Sequence, residues 1–415
     1  MHQTANLLPL TSLLATLTVF TLWQACPAQA QEAEWKRLEQ EAGELYSQGN
    51  YGPAIITARQ ALSVAEKTFG PDHPNMAKNL TALALIYRAQ AQYSQAELLV
   101  KRALAIYEKA LGPEHSDVAV SLNNLALLYR TQGQFANAEP LDKRALAIWE
   151  KVLGPDHLDV ARSLNDLAEL YRIEGQYAQA EPLYKRALAI REKALGPDHP
   201  DVAVSLNNLA LLYKNVGQYA QVELLYKRSL VILENALGQD HPDVAMSLNN
   251  LAALYQTRGQ YAQAEPLYKR TLANLEKAFS PNHPDVATTL NNLAELYRTQ
   301  GMYIQAEQLY KRSLTLRENS LGKDHPDVAM SLSNLALLYQ TQGNYTQADP
   351  LQKRALAIRE KSLRPDHPDV AQSLHNLAEL YRAQGMYSQA EQLYKRALTI
   401  NQKTLGSNHP NVGMS

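Results

Sequence analysis

Within residues 199–240 the apolar positions Ala203, Leu206, Ala210 and Tyr213 recur at i, i+3, i+7 and i+10, and Leu209 widens the stripe. This spacing predicts an amphipathic helix from about Pro200 to Lys214. Asp-His-Pro just upstream suits a helix start, because proline is tolerated where the amide has no intrahelical partner. Gly217 stands where a left-handed backbone ends a helix. A second stripe, Val222, Leu225, Tyr226, Ser229, Leu230 and Ile232, predicts another helix from about Tyr219 to Leu237. In four other copies of this stretch a proline (Pro140, Pro182, Pro266, Pro350) falls in or beside the first turn of the second helix, where it does little harm. Two antiparallel helices joined by a short glycine turn make an αα-hairpin.

The pattern is periodic. His73, His115, His157, His199, His241, His283, His325, His367 and His409 stand 42 residues apart without a slip. A period between about 20 and 50 residues signals a solenoid, in which each unit buries its apolar face only by stacking on the next. Residues 31–72 form a divergent first unit that keeps Tyr46, Gly49, Tyr51, Ala54 and Ala61; its polar Glu32, Glu34, Lys36, Arg37 and Glu39 suit an N-terminal cap. Eight full units occupy 73–406, and 407–415 read as the start of a further one. No linker or charge block interrupts them, so one all-α solenoid domain of about nine stacked repeats is expected. At the C-terminal end either a ninth full repeat is cut short or the last unit packs on something else.

These residues resemble the tetratricopeptide repeat, whose signature appears in 157–198 as Leu167-Ala168, Tyr171, Gly175, Tyr177, Ala180 and Ala187. The 42-residue period, LNNLA-x-LY and LYKRALAI are similar to the kinesin light chain subtype. The resemblance implies a right-handed superhelix of helix-turn-helix repeats, with the first helix of each unit lining a concave groove that binds other proteins.

Residues 1–30 contain no Asp, Glu, Lys or Arg, and Leu7–Trp23 is mostly apolar but short for a membrane span. Ala28-Gln29-Ala30 fits a small-residue cleavage site, so a signal peptide over 1–30, a mature start at Gln31 and export to a periplasmic or extracellular space are expected. Cys26, the sole cysteine, supplies the alternative of a lipid anchor. Either way the mature chain has no disulfide, and packing alone must stabilise it.

A formal net charge of −1 argues against nucleic acid, which wants a basic footprint. The eight Lys-Arg pairs, Lys101-Arg102 to Lys395-Arg396, do not supply one. Each lysine has an acid four residues upstream, the favourable order for a pair worth about 0.2–0.5 kcal/mol, which predicts a self-neutralised outer face. Histidines one repeat apart lie on helices roughly 8–10 Å apart, too far to share an ion with ligand bonds of about 2 Å; they are expected to close interhelix turns. Ser, His and Asp occur only as repeat positions. No metal, cofactor or catalytic constellation is therefore expected.

The candidate site is the face of the first helix that points away from the second. Asparagines recur there as Asn123 and Asn124, Asn207 and Asn208, Asn249 and Asn250, and Asn291 and Asn292, with Asn165, Asn334 and Asn376 continuing the series. An amide both donates and accepts, so it can pair with the main chain of an extended peptide whatever its side chains. A helix spacing of about 10 Å matches roughly three residues of extended chain. The alternative is that these amides tie neighbouring helices together. For the second asparagine of each pair, the resemblance implies a place in the binding groove. Basic residues refine the expectation. Arg172, Arg298 and Arg382 follow an acid by three residues (Glu169, Glu295, Glu379), whereas Arg130 and Lys214 follow Leu127 and Leu211. Their charge is expected to be free beside that apolar surface, which Val120 and Val204 extend, and this would favour an acidic-aromatic segment at units 115–156 and 199–240. Two functions follow: an adaptor that grips extended segments of partner proteins, or an assembly element that self-associates through its C-terminal repeat.

Overall fold

The computed structural model describes residues 27–279 and 283–406. Its described residues form eighteen α-helices and no strand: α1 Pro27–Ser47, α2 Tyr51–Phe69, α3 Pro74–Ala89, α4 Tyr93–Leu111, α5 Ser116–Thr131, α6 Phe135–Leu153, α7 Leu158–Ile173, α8 Tyr177–Leu195, α9 Pro200–Asn215, α10 Tyr219–Leu237, α11 Pro242–Thr257, α12 Tyr261–Ala278, α13 Pro284–Thr299, α14 Tyr303–Leu321, α15 Pro326–Thr341, α16 Tyr345–Ser362, α17 Pro368–Ala383 and α18 Tyr387–Leu405. The two helices of the 199–240 unit thus end within a residue of the bounds their periodicity predicts. The expected leader lies almost wholly outside the described residues, as do Cys26 and the 407–415 segment. No helix among the described residues is long and apolar enough to cross a membrane.

The repeated histidine starts each unit's first helix. In the eight units from 73 onward it is the N-cap, and its Nδ1 accepts the backbone N–H two residues on at 3.0–3.3 Å. This satisfies one of the free amides at a helix start, a role more often taken by Ser, Asp or Asn. The connection within each unit needs a left-handed residue, supplied by Gly217 at φ +77° and its counterparts. The 73–114 unit departs from this: Ala91 holds the conformation at φ +55°.

Packing alternates within and between units. Ala210, Val222 and Tyr226 of one unit form a continuous core with Leu251, Ala252, Leu254 and Ala264 of the next, all nearly inaccessible to solvent. Consecutive first helices approach one another closely at most junctions, and consecutive second helices do so at none. The stack therefore curves with the first helices inside. The outer face is neutralised as expected: each lysine of the Lys-Arg pairs meets its upstream acid at 2.6–2.8 Å. Each adjoining arginine reaches back to a glutamate on the preceding unit's second helix, as Arg228 does to Glu192 at 2.7 Å.

The curvature brings the solenoid round on itself. His325 Nε2–H donates to the Ala89 carbonyl at 3.2 Å and His367 Nε2–H to the Thr131 carbonyl at 3.0 Å, each across 236 residues. A Cβ at Gly49 or Gly133 would come within 2.9 Å of Pro284 Cδ or 2.8 Å of Pro368 Cδ. Unit n thus sits on unit n+6 along a seam between the first three units and the last three. His283, His325 and His367 are buried by it, whereas the same residue at 115, 157, 199 and 241 leaves about two-fifths of its side chain exposed.

Candidate binding face

On the inner side the asparagines divide by position. The first of each pair ties helices together. Asn123 Nδ2 donates to Ser163 Oγ at 3.0 Å, Asn207 to Ser247 at 3.1 Å and Asn291 to Ser331 at 3.2 Å. Asn165, with its amide oxygen facing the guanidinium, accepts from Arg191 at 2.7 Å. Asn249 instead accepts from Asn292 of the next unit at 2.8 Å. The second position is half-buried and mostly unclaimed. Asn124, Asn208, Asn250 and Asn334 have no hydrogen-bond partner among the described residues, while Asn376 accepts from Gln372 on its own helix at 2.8 Å. Exposed apolar side chains interleave with these amides, notably Val204, Met246 and Leu337. The face offers hydrogen-bonding groups without a peptide-bonded partner and apolar surface beside them.

The basic residues fall out differently from the expectation in one respect. Arg172, Arg298 and Arg382 do pair with Glu169, Glu295 and Glu379, each at 2.6 Å. The same glutamates accept the phenol of Tyr184 at 2.8 Å, of Tyr310 at 2.8 Å, and of Tyr394. Arg130, by contrast, is not a free cation. It is buried, with Nη1 2.7 Å from Asp142 Oδ2, Nη2 3.1 Å from Asp166 Oδ1, and a further bond to the Asp166 carbonyl. The cause is one substitution in the period: Asp142 stands where Tyr184, Tyr226, Tyr268, Tyr310 and Tyr394 stand in other units. Burial pushes the Asp142 carboxyl up to about 7, with Arg130 pulling against it. Arg130 therefore belongs to the scaffold and leaves the candidate site. Lys214 does keep an unpaired ammonium among the described residues; partial burial lowers its pKa.

Sequence reasoning missed another set of inner-side residues. Arg191, Arg317 and Arg359, from second helices, reach the start of the next unit's first helix. Their Nη1 groups donate to Ser205, Ser331 and Ser373 at 2.6, 2.9 and 2.8 Å, and to the carbonyls of Asp201, Asp327 and Asp369. The readable signal is the column itself, which runs Arg191, Leu233, Leu275, Arg317, Arg359 at the 42-residue period. Among the described residues, no cluster of three or more His, Cys, Asp or Glu side chains is placed to hold a metal ion.

The tetratricopeptide repeat family model matches residues 41–109, 117–193, 164–235, 225–277, 243–319, 285–361, 327–403 and 369–414. No curated protein matches the sequence. Among solved structures, a Podosopora anserina protein described as a kinesin light chain with nearly identical tetratricopeptide-like repeats is 30% identical over 50% of this chain and 98% of its own, with a TM-score of 0.41. BtubC of P. vanneervenii is 27% identical over 58% of this chain and 94% of its own, with a TM-score of 0.45. A Rap protein complexed with competence and sporulation factor covers 90% of this chain and 99% of its own at 16% identity, with a TM-score of 0.58. With repeat period, helix pairs and family model in agreement over nearly all the described residues, the chain belongs to the tetratricopeptide repeat family.

Proposed function

We propose that the protein is a non-enzymatic scaffold whose inner face grips an extended segment of a partner protein. The observation that carries this reading is the line of partnerless, half-buried amides at Asn124, Asn208, Asn250 and Asn334. The scaffold leaves these amides unused, and an extended main chain supplies both a donor and an acceptor to each. The outer face, with its lysines and arginines already paired, offers less. Lys214, one turn from Leu211 on a helix whose exposed Val204 extends the apolar surface, favours a carboxylate near an apolar or aromatic anchor in the bound segment, at unit 199–240 alone now that Arg130 is accounted for.

The test is a peptide array probed with the parent chain and with an Asn124→Ala/Asn208→Ala/Asn250→Ala/Asn334→Ala variant of unchanged circular dichroism. Binding by the parent is expected to fall by at least tenfold in the variant, since four charge-neutral hydrogen bonds at about 0.5–1.5 kcal/mol each are removed. Equal binding by both chains refutes the inner-face site.

A second reading has its own support. On the last described unit Tyr387 is 70% exposed, beside a cavity of about 370 Å³ lined by Ala390, Tyr394 and Leu398. Self-association through that repeat predicts a mass by light scattering that rises with concentration and falls back in Tyr387→Glu. Export belongs to the proposal as well. It rests on the composition of residues 1–30 and is tested by mass spectrometry of the native chain, expected to begin at Gln31; Met1 retained would contradict export, and a lipid on Cys26 would replace the Gln31 start with a lipid anchor.

A further inference from the structure

Between α11 and α13 lies a cavity of about 340 Å³, within the size range of ligand pockets, open to the inner side. Its walls include Asp243, Met246, Leu275, Phe279, Asp285 and Thr289. The periodicity of the chain shows what such a place holds at three other junctions, where the column carries Arg191, Arg317 and Arg359. Forty-two residues on, the counterpart of Leu275 is Arg317, almost fully buried. Its guanidinium donates to the Asp327 carbonyl at 3.1 Å, to Ser331 Oγ at 2.9 Å and to Thr288 Oγ1 at 3.1 Å. Arg359 and Arg191 repeat the first two contacts at their own junctions. The counterparts of those two acceptors, the Asp285 carbonyl and Thr289 Oγ1, belong to residues that line the cavity beside Leu275. Leucine ends short of them and brings no donor.

A second departure keeps the place open. At three other junctions the serine of this position is claimed by an asparagine of the preceding unit: Ser163 by Asn123, Ser247 by Asn207 and Ser331 by Asn291. Here Asn249 turns to Asn292 instead, and Thr289 Oγ1 donates only a long bond, 3.4 Å, to the Asp285 carbonyl of its own helix. Its lone pairs receive no hydrogen bond from any described residue, although Thr289 is 2% exposed. The carboxylates of Asp243 and Asp285 belong to residues that line the cavity, and neither pairs with a lysine or arginine among the described residues; each lies beside the imidazole two residues before it, at 3.7 and 3.6 Å. Phe279 provides an aromatic wall where the next unit has Leu321; a face of its ring is stacked on His283 with centroids 4.1 Å apart, which holds the wall in place.

We infer that this cavity is a socket for the guanidinium of an arginine carried by a bound segment. The site takes from its ligand the group that three other junctions take from the chain itself. The inference rests on the inner-face reading and adds a side-chain requirement to it: an arginine at the register that faces the junction of units 241–282 and 283–324.

Two measurements decide it. L275R supplies a guanidinium from the second helix, as Arg317 does. The expected result is a chain that melts no lower than the parent, while L275Q, too short to reach the acceptors, melts lower. An L275R chain that melts below L275Q marks the cavity as unable to take the group and overturns the socket. In the second measurement, arginine-containing peptides bound on the array are titrated beside forms in which citrulline, a neutral isostere, replaces arginine. Loss of a charged hydrogen-bonding group is expected to weaken binding to the parent by about tenfold or more, and L275R is expected to abolish the difference. Peptides that bind equally with citrulline sink the socket while the inner-face reading stands. An array without binders removes the inner-face reading, and the melting comparison still decides whether the cavity accepts a guanidinium. Agmatine, titrated alone, separates the two sources of the group. If it binds as tightly as the peptides, the socket serves a free guanidinium compound and the bound segment is overturned as its occupant.

Discussion

At residue scale, Arg130 shows how one change in a periodic sequence rewires its neighbourhood. In unit 241–282 the same two columns hold Gln256 and Tyr268, joined at 2.9 Å; in units 157–198 and 283–324 the tyrosine bonds a glutamate that also pairs with the arginine. Asp142 replaces the tyrosine in unit 115–156, and the arginine turns inward to meet it. Breaking a buried pair by removing one partner costs about 3–5 kcal/mol, whereas replacing both is often neutral. Asp142→Tyr alone is therefore expected to destabilise by about 3 kcal/mol, because it strands the guanidinium on Asp166. Arg130→Gln/Asp142→Tyr, which copies the Gln256 and Tyr268 solution, is expected to recover most of that loss. Urea unfolding of the full double-mutant cycle measures it, and a coupling energy near zero would show the two positions to be independent. This rewiring was hidden from a reading that looked one helical turn upstream, since the partners lie 12 and 36 residues away on other helices.

At the scale of an element, the turn between α3 and α4 is the one whose left-handed residue carries a side chain. An L-residue there costs about 1–2 kcal/mol relative to the right-handed region, offset in part by glycine's greater entropy when unfolded. Ala91→Gly is expected to stabilise the 73–114 unit by about 0.5–1 kcal/mol, read as slower amide exchange in α3 and α4 than in the parent. Elements of this kind were largely legible. The stripe from Ala203 to Tyr213 fixed a helix, and the histidine column marked where each first helix begins, although its capping bond came only with the geometry. The asparagine pairs were half legible: both positions share the inner face, but only the inter-unit spacing assigns the first to Ser163, Ser247 and Ser331 and leaves the second open.

At the scale of the molecule, the seam between the first and last units depends on the sum of small rotations from unit to unit, which no single repeat records. His325 makes it responsive to acid. Its Nδ1 accepts from the Asp327 amide while Nε2–H donates to Ala89, so only the neutral ring serves both bonds. Burial lowers its pKa below the ordinary 6.5, against the opposing pull of the Asp327 carboxylate; Arg317, close by, lowers it further. A base with a depressed folded-state pKa binds fewer protons folded than unfolded, so its contribution is complete above about 6.5 and declines as pH falls below that value. Small-angle scattering is expected to show the radius of gyration growing between pH 7.5 and 5.5. In His325→Ala the expanded form is expected at pH 7.5 already. A radius independent of pH in the parent would remove His325 as the sensitive group.

Because unit n rests on unit n+6, the first helices wall a passage rather than an open trough. A flexible tail can enter by its free end. A loop flanked by two folded domains is excluded unless the seam first parts, so the parting rate sets how fast such a ligand is captured and how long it stays. The same closure stores slack. Tension on the two ends would first part the two histidine–carbonyl bonds and the glycine–proline contacts of the seam and pay out length, well before any helix pair is pulled from its neighbours, and would lay the passage open along its side.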